Sequence, residues 1–349
     1  MLQEDQFSRQ PEDGNRRTVG SKPSHCEDGS APDPREHLSL QINRQWAAGS
    51  SVNLETASRT QGRGNSVAPA RNGTEAMPGG TDAGAGTDSP GAAAARGLLD
   101  SDEAGALEIV NADAGGNAVL VCDHASNRMP RRLGTLGLGP ADLQSHIAWD
   151  PGAAVVARRL SHLLHAPLVL SGYSRLVIDC NRPLDSPESI PERTGGVIVP
   201  GNRPLTPEDR ARRIDALFTP YHQAIGKVID GRMGRPVLLL SIHSFTPVFG
   251  GQRRPWSVGF SYGRDARLAA LMIDAMNRHG NVLVGDNQPY SVDDSTDYTI
   301  PVHGEARGLP HVLIELRQDV IATSADATAW ARRLAEAFRQ IEPAALCLR

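Results

Sequence analysis

The chain has 349 residues and a formal net charge of −4, which leaves room for two domains but provides no basic footprint for nucleic acid. No stretch approaches the roughly 20 apolar residues that a membrane span needs, so a soluble, cytoplasmic protein is expected. Cys26, Cys122, Cys180 and Cys347 are widely spaced and form no CxxC pair, which argues against a disulfide scaffold or a thiolate zinc site.

The first 105 residues differ from the rest. Of the 6 Phe, 4 Trp and 5 Tyr in the chain, only Phe7 and Trp46 lie there, among runs such as "GGTDAGAGTDSPGAAAARG". Such a segment cannot bury enough apolar surface to offset the entropy of ordering it, so residues 1–105 are expected to be a disordered, low-complexity extension. Its start, "MLQEDQFSRQPEDGNRR", carries acids and lacks an apolar core, unlike a signal or transit peptide.

From about residue 106 the pattern is that of an α/β domain, expected to span 106–349. "NAVLVCDH" (117–124) reads as a strand, and 152–165 as an amphipathic helix with Val155, Val156, Leu160, Leu163 and Leu164 at helical spacing. "APLVLSG" (166–172) is a second strand and "RLVIDCNRP" (175–183) a third extended piece, followed by a long Pro/Gly-rich loop. Thr206 caps a helix with Pro207 at its first position, running to about Asp230. A strand at 236–243, then "WSVGFSYG", a helix over 265–279, "NVLVGD", "HVLIELRQD" and a helix over 324–341 complete the order. Strands alternating with helices predict a three-layer αβα domain around a mixed, mostly parallel sheet. Cys122 and Cys180 sit in apolar runs and are expected to be reduced core residues.

Three strands end in chemistry. "VLVCDHASN" delivers Asp123, His124 and Asn127; "LLLSIHSF" delivers His243; "LIELRQD" delivers Glu315, Arg317 and Asp319. Open α/β sheets place their ligands at the carboxyl ends of strands. A His followed three residues on by an acid or amide, with a second His far downstream, is one way to hold zinc with a position open for water. On "RLVIDCNR", strand alternation puts Arg175, Asp179 and Asn181 on one face. Arg175 and Asp179 could pair structurally, or Arg175 or Arg182 could receive a substrate carboxylate with help from Asn181. Glu315 and Arg317 likewise either pair, or act as a general base and the group that orients it.

The motifs "DHASN", "WDPGA", "SRLVIDCNRP", "SIHSF" and "IELRQD", in this order between about residues 117 and 335, resemble the N-formylglutamate amidohydrolase family. The resemblance implies a relative of the zinc-carboxypeptidase fold. The implied reaction is hydrolysis of N-formyl-L-glutamate to formate and L-glutamate, a step of histidine degradation. It implies His124 and His243 as ligands of a divalent metal, zinc, Glu315 as the catalytic glutamate, and Asn181 with Arg182 on the substrate carboxylate. One departure stands out: Asn127 occupies the position where the wider fold has a glutamate ligand. Either Asn127 completes the metal site or Asp150 of "WDPGA" replaces it, although Asp150 precedes a helix and could equally serve as its N-cap. The expected partner is thus a small N-acyl acidic amino acid, with no nucleic acid and no membrane. Two other readings stay open: a zinc deacylase or carboxypeptidase-like amidase with another acyl substrate, and a non-catalytic relative that keeps the cleft to bind a ligand.

Overall fold

A computed structural model describes residues 97–232, 234–278 and 280–348. The expectation of a disordered extension therefore falls, up to residue 96, outside the described residues. Packing begins ahead of residue 106: Leu98 is buried with Tyr173, Val177, Ile178, Leu217 and Phe218, and the Tyr173 hydroxyl donates to the Ala104 carbonyl at 2.7 Å.

The elements follow in chain order. Strands β1 (Leu107–Val110) and β2 (Ala118–Cys122) precede helices α1 (Pro140–Gln144) and α2 (Ala153–Leu164) and strand β3 (Leu168–Ser171). A small hairpin, β4 (Arg193–Thr194) and β5 (Val197–Ile198), leads to α3 (Pro207–Arg213), a π-helical turn over Ile214–Phe218 and α4 (Thr219–Asp230). Next come β6 (Leu238–Phe245), the hairpin β7 (Val248–Phe249) and β8 (Gln252–Arg253), and β9 (Val258–Ser261). Helix α5 (Arg267–Arg278), β10 (Val284–Asp286), β11 (His311–Arg317) and α6 (Ser324–Ala345) complete the fold.

β1, β3, β2, β6, β11, β9 and β10 form a seven-stranded sheet in that order. β3, β2, β6 and β11 run parallel, as do β9 and β10, while β1–β3 and β11–β9 are antiparallel. The sheet is therefore mixed and mostly parallel. Its period of two sorts the side chains. Leu120, Leu168, Leu240, Ile242, Val312 and Ile314 meet the apolar faces of α2, α5 and α6. Val119, Val121, Val169, Leu239 and Leu313 meet Tyr221, Ile225 and Ile229 of α4. Two covered faces make the expected three layers, and explain why the central strands read as continuous apolar runs. Cys122 and Cys180 are both buried and free. No helix among the described residues is long and apolar enough to cross a membrane.

Two expectations are corrected. Residues 175–183 form turns, not a strand. Polar side chains there take backbone N–H groups that a strand partner would need: Asp179 Oδ1 accepts from Asn181 N at 2.8 Å and Ser174 Oγ from Leu176 N at 3.2 Å. The helix over 206–230 begins as expected, with Thr206 Oγ1 accepting from Asp209 N at 3.1 Å, but its ladder shifts at the π-helical turn. Pro220 lacks the N–H that would bond the Ala216 carbonyl, and Thr219 N bonds back five residues to Ile214.

Candidate active site

The sheet sets the site. β2 and β6 are parallel neighbours that end at the same edge, delivering Asp123–His124 and His243 there. β11 runs parallel to β6 in a register that places Glu315 opposite His243. Alternation directs Ser241, His243, Leu313 and Glu315 away from the face that α2, α5 and α6 cover. The chain then turns into α2 through Gly152, at φ 84°, where a Cβ would meet Ile321 Cδ1 at 2.7 Å. That turn leaves Asp150 beside the strand ends. The α2 N-terminus takes no side-chain cap, so Asp150 is not the N-cap that its position suggested.

His124 and His243 are held alike. Each presents Nε2 to an outer carboxylate, His124 to Asp179 Oδ1 at 2.7 Å and His243 to Asp123 Oδ2 at 2.9 Å. Each presents Nδ1 to the same atom, Asp150 Oδ2, at 3.4 and 3.0 Å. The outer carboxylates are themselves fixed. Asp123 accepts from Tyr221 Oη at 2.9 Å, Thr299 Oγ1 at 2.7 Å and Ser241 Oγ at 3.1 Å, while Asp179 accepts from Arg175 Nε at 2.9 Å. All of these acids and histidines are buried.

The charge balance is informative. Burial raises the Asp150 carboxyl, but His124 and its other imidazole neighbours hold it well below its ordinary range; burial and the Arg175 guanidinium oppose each other in the same way at Asp179. Burial disfavours a charged His243, yet its bonds to Asp123 and Asp150 hold its pKa well above the usual value. Three ionised carboxylates, Asp123, Asp150 and Asp179, thus surround two imidazoles, with Arg175 as the guanidinium in contact. Buried charge of this kind persists only when paired. Asp150 Oδ1 is buried without a hydrogen-bond partner.

Ligand atoms of His124, Asp150 and His243 all lie within 4.8 Å of one another. Two imidazole nitrogens and a carboxylate oxygen, backed by carboxylates on the far ring nitrogens, are a donor set that suits a divalent cation with a coordination position left open. The residues present therefore fit a metal. Asn127 is not brought into this cluster; its amide donates to the Leu143 carbonyl at 3.0 Å. Asp150 lies within the cluster.

A cavity of about 300 Å³ opens over the cluster, lined among others by His146, Arg175, Arg182, Tyr290 and Glu315. Glu315 is buried, and its Oε2 has no hydrogen-bond partner. Burial pushes its pKa to about 7 against the pull of His243. A carboxyl poised near neutrality beside a cluster that suits a cation is fit for proton transfer. Arg317 makes no hydrogen bond or ion pair with it. Its guanidinium donates to Asp319 at 2.6 Å and to the carbonyls of Arg254, Pro255 and Trp256 at 3.1, 2.8 and 3.1 Å, so it holds that loop.

Arg175 and Asp179 do pair, with the half-buried guanidinium on the cavity wall and the carboxylate buried behind it, rather than on a solvated face. Asn181 spends most of its amide on the far wall: its oxygen accepts from Tyr298 N and Thr299 N at 3.1 and 3.0 Å, and its nitrogen donates to Asp297 at 2.8 Å. Arg182 donates to the Thr296 carbonyl and lies 3.2 Å from Glu188. His146, with Nδ1 at 3.3 Å from Asp150 Oδ1, and Tyr290 carry no periodic signal that marked them in the sequence.

The sequence profile of the N-formylglutamate amidohydrolase family matches residues 116–322. The chain belongs to this family. It is accordingly a hydrolase acting on amide bonds. Among solved structures, a gene product of Agrobacterium tumefaciens is 39% identical, over 70% of this chain and 99% of that one, with a TM-score of 0.67. An N-formylglutamate amidohydrolase from Ralstonia eutropha JMP134 is 19% identical, over 68% of this chain and 99% of that one, with a TM-score of 0.53, which shows a shared fold. A comparison with curated proteins gave no match. The family match covers every residue of the His-Asp-His cluster and Glu315.

Proposed function

We propose that this member of the family hydrolyses N-formyl-L-glutamate to formate and L-glutamate, using a divalent cation, zinc, held by His124, Asp150 and His243. The observation that carries the reading is the convergence of both Nδ1 atoms on Asp150, 3.4 and 3.0 Å away, beneath a cavity that also holds the unpartnered Glu315. The fold relative from Ralstonia bears the same activity in its name. A cation there would supply Lewis-acid chemistry towards the substrate carbonyl and the attacking water.

The side chains account for the rest. Glu315 takes a proton from the attacking water as its oxygen bonds the formyl carbon. The same carboxyl returns the proton to the nitrogen as the C–N bond breaks, releasing formate and the free amine. The Arg182 guanidinium and the remaining N–H of Asn181 receive a substrate carboxylate at the cavity wall. Arg175 works indirectly, by fixing Asp179 behind His124.

The test is formate release from N-formyl-L-glutamate by the full chain, before and after chelation, and again after zinc is restored. Activity that survives chelation would overturn the metal. N-acetyl-L-glutamate and N-formyl-L-leucine hydrolysed equally well would overturn the substrate.

A further inference from the structure

Tyr221 and His222 are consecutive on α4, and each reaches the back of the site. Tyr221 donates to Asp123, the outer partner of His243. His222 Nε2 lies 2.8 Å from the Cys180 carbonyl, on the turn whose Asp179 is the outer partner of His124. A carbonyl only accepts, so His222 carries its proton on Nε2 and leaves Nδ1 bare. His303 Nε2 lies 3.1 Å from that bare Nδ1 and must be the donor, which leaves its own Nδ1 bare, buried and unpartnered. The order is therefore directional: His303 donates to His222, which donates to Cys180.

Both rings are enclosed. Their planes stack at 11°, with centroids 5.3 Å apart, and Phe218 and Tyr298 close on His222 at 4.4 and 4.6 Å. Protonating His222 would turn His303 into an acceptor and leave a buried N–H with nothing to bond. Burial opposes that charge and lowers His222 to about 4. The pair also joins two walls of the cavity. Cys180 precedes Asn181, and His303 lies on the turn that follows Thr296, Asp297 and Thr299.

We propose that His222 and His303 are positioning residues, which set the Asp179–Asn181 turn and so fix how tightly His124 is presented to the metal. This rests on the metal reading above. Groups behind a metal ligand tune affinity without touching the ion, by about 10- to 100-fold when removed.

The experiment measures zinc affinity of the full chain against a chromogenic chelator, alongside kcat, KM and Tm. His222→Leu should weaken zinc binding about tenfold or more and lower kcat, with KM moving by less than about threefold. His222→Gln can still send an N–H to the Cys180 carbonyl and should bind zinc within about threefold of wild type. If His222→Leu lowers Tm but leaves zinc affinity and kcat at wild-type values, the role is purely structural and the proposal is overturned. Should His222→Leu not fold, His303→Leu decides. It spares the bond to Cys180 but frees the tautomer, so about threefold to tenfold weaker zinc is expected, and unchanged affinity overturns the proposal. A wild-type chain that takes up no zinc would overturn the metal reading and this inference with it. Equal uptake by wild type and variants would overturn the inference alone.

Discussion

Glu315 on β11 lies opposite His243 on β6, in a parallel register that runs from His311↔Leu239 to Arg317↔Phe245. Two strands far apart in sequence are thereby locked so that a carboxyl and a buried imidazole of the His-Asp-His cluster emerge from the same level of the sheet. A slip of β11 by one residue would turn Glu315 to the opposite face while His243 stayed in place. Glu315→Gln keeps the shape and register but cannot take a proton. We expect kcat to fall roughly 10²–10⁴-fold with zinc content unchanged, measured as formate release and bound metal on the same sample. A large rise in KM at normal kcat would make Glu315 a binding group instead.

Asp150 and Asn127 separate cleanly. Asp150 Oδ2 faces both histidines, whereas Asn127 bonds the Leu143 carbonyl. Asp150→Asn should lower zinc affinity by about 100-fold or more, because it removes the one anionic ligand and leaves the imidazoles facing an amide. Asn127→Ala should lose only a hydrogen bond at the edge of the site, with zinc affinity within about threefold of wild type and a stability loss of about 1 kcal/mol. Metal titration of the two variants decides.

Arg182 lines the cavity with the Thr296 carbonyl and the mostly exposed Glu188 as partners, whereas Arg175 pairs with the buried Asp179, so Arg182 is the guanidinium proposed to meet the substrate carboxylate. Arg182→Ala should raise KM for N-formyl-L-glutamate about 10- to 100-fold with kcat little changed, the scale of a lost charged hydrogen bond. Equal KM in wild type and variant would place the carboxylate elsewhere.

The strand ends were legible because two constraints act together: apolar runs mark buried strands, and polar residues that follow them need a reason. Asp123, His124, His243 and Glu315 are all found this way. Asp150 stands out in the sequence only as an alternative, because its place depends on a turn at Gly152, a tertiary fact. Arg317 shares a strand face with Glu315, but a long side chain lets its head group leave that face for the carbonyls of residues 254–256. The piece at 175–183 reads as a strand by composition, yet Ser174 and Asp179 divert its backbone N–H groups locally. β1 leaves little mark in the sequence, because four residues with Ile109 exposed give little periodicity.

Length can be tested at the start of the fold. A chain beginning at residue 97 keeps Leu98, which is buried, and should melt and hydrolyse like the full chain. One beginning at 106 loses Leu98 and the Ala104 carbonyl that Tyr173 bonds, and should be less stable by about 2–3 kcal/mol in urea unfolding. Identical stability would show that the segment 97–105 contributes nothing.

Stability should also carry the mark of His222 below neutrality. Its pKa is pushed down to about 4, chiefly by burial, and His303 is also held below its usual value, by burial, His222 and Arg307. An unfolded histidine titrates near 6.5, so between about pH 6.5 and 4 the unfolded chain binds more protons than the folded one. Stability then rises with pH across that window and is lost as pH falls through it. For His222 alone the loss reaches about 3 kcal/mol by pH 4. The groups facing it are His303, Tyr221, Tyr298, Phe218 and the Cys180 carbonyl, with Asp123 as the nearby anion that opposes the shift. Glu315 acts in the other direction: raised to about 7, it binds more protons folded than unfolded between its ordinary value and 7, and stabilises as pH falls. The total slope is therefore a compromise, and the difference between two proteins isolates His222 together with its effect on His303. Urea unfolding at pH 7, 6, 5 and 4.5 should show the wild type losing ground to His222→Gln by about 2 kcal/mol or more over that range. Parallel pH profiles would mean that His222 is not held neutral, and that the buried pair shares a proton after all.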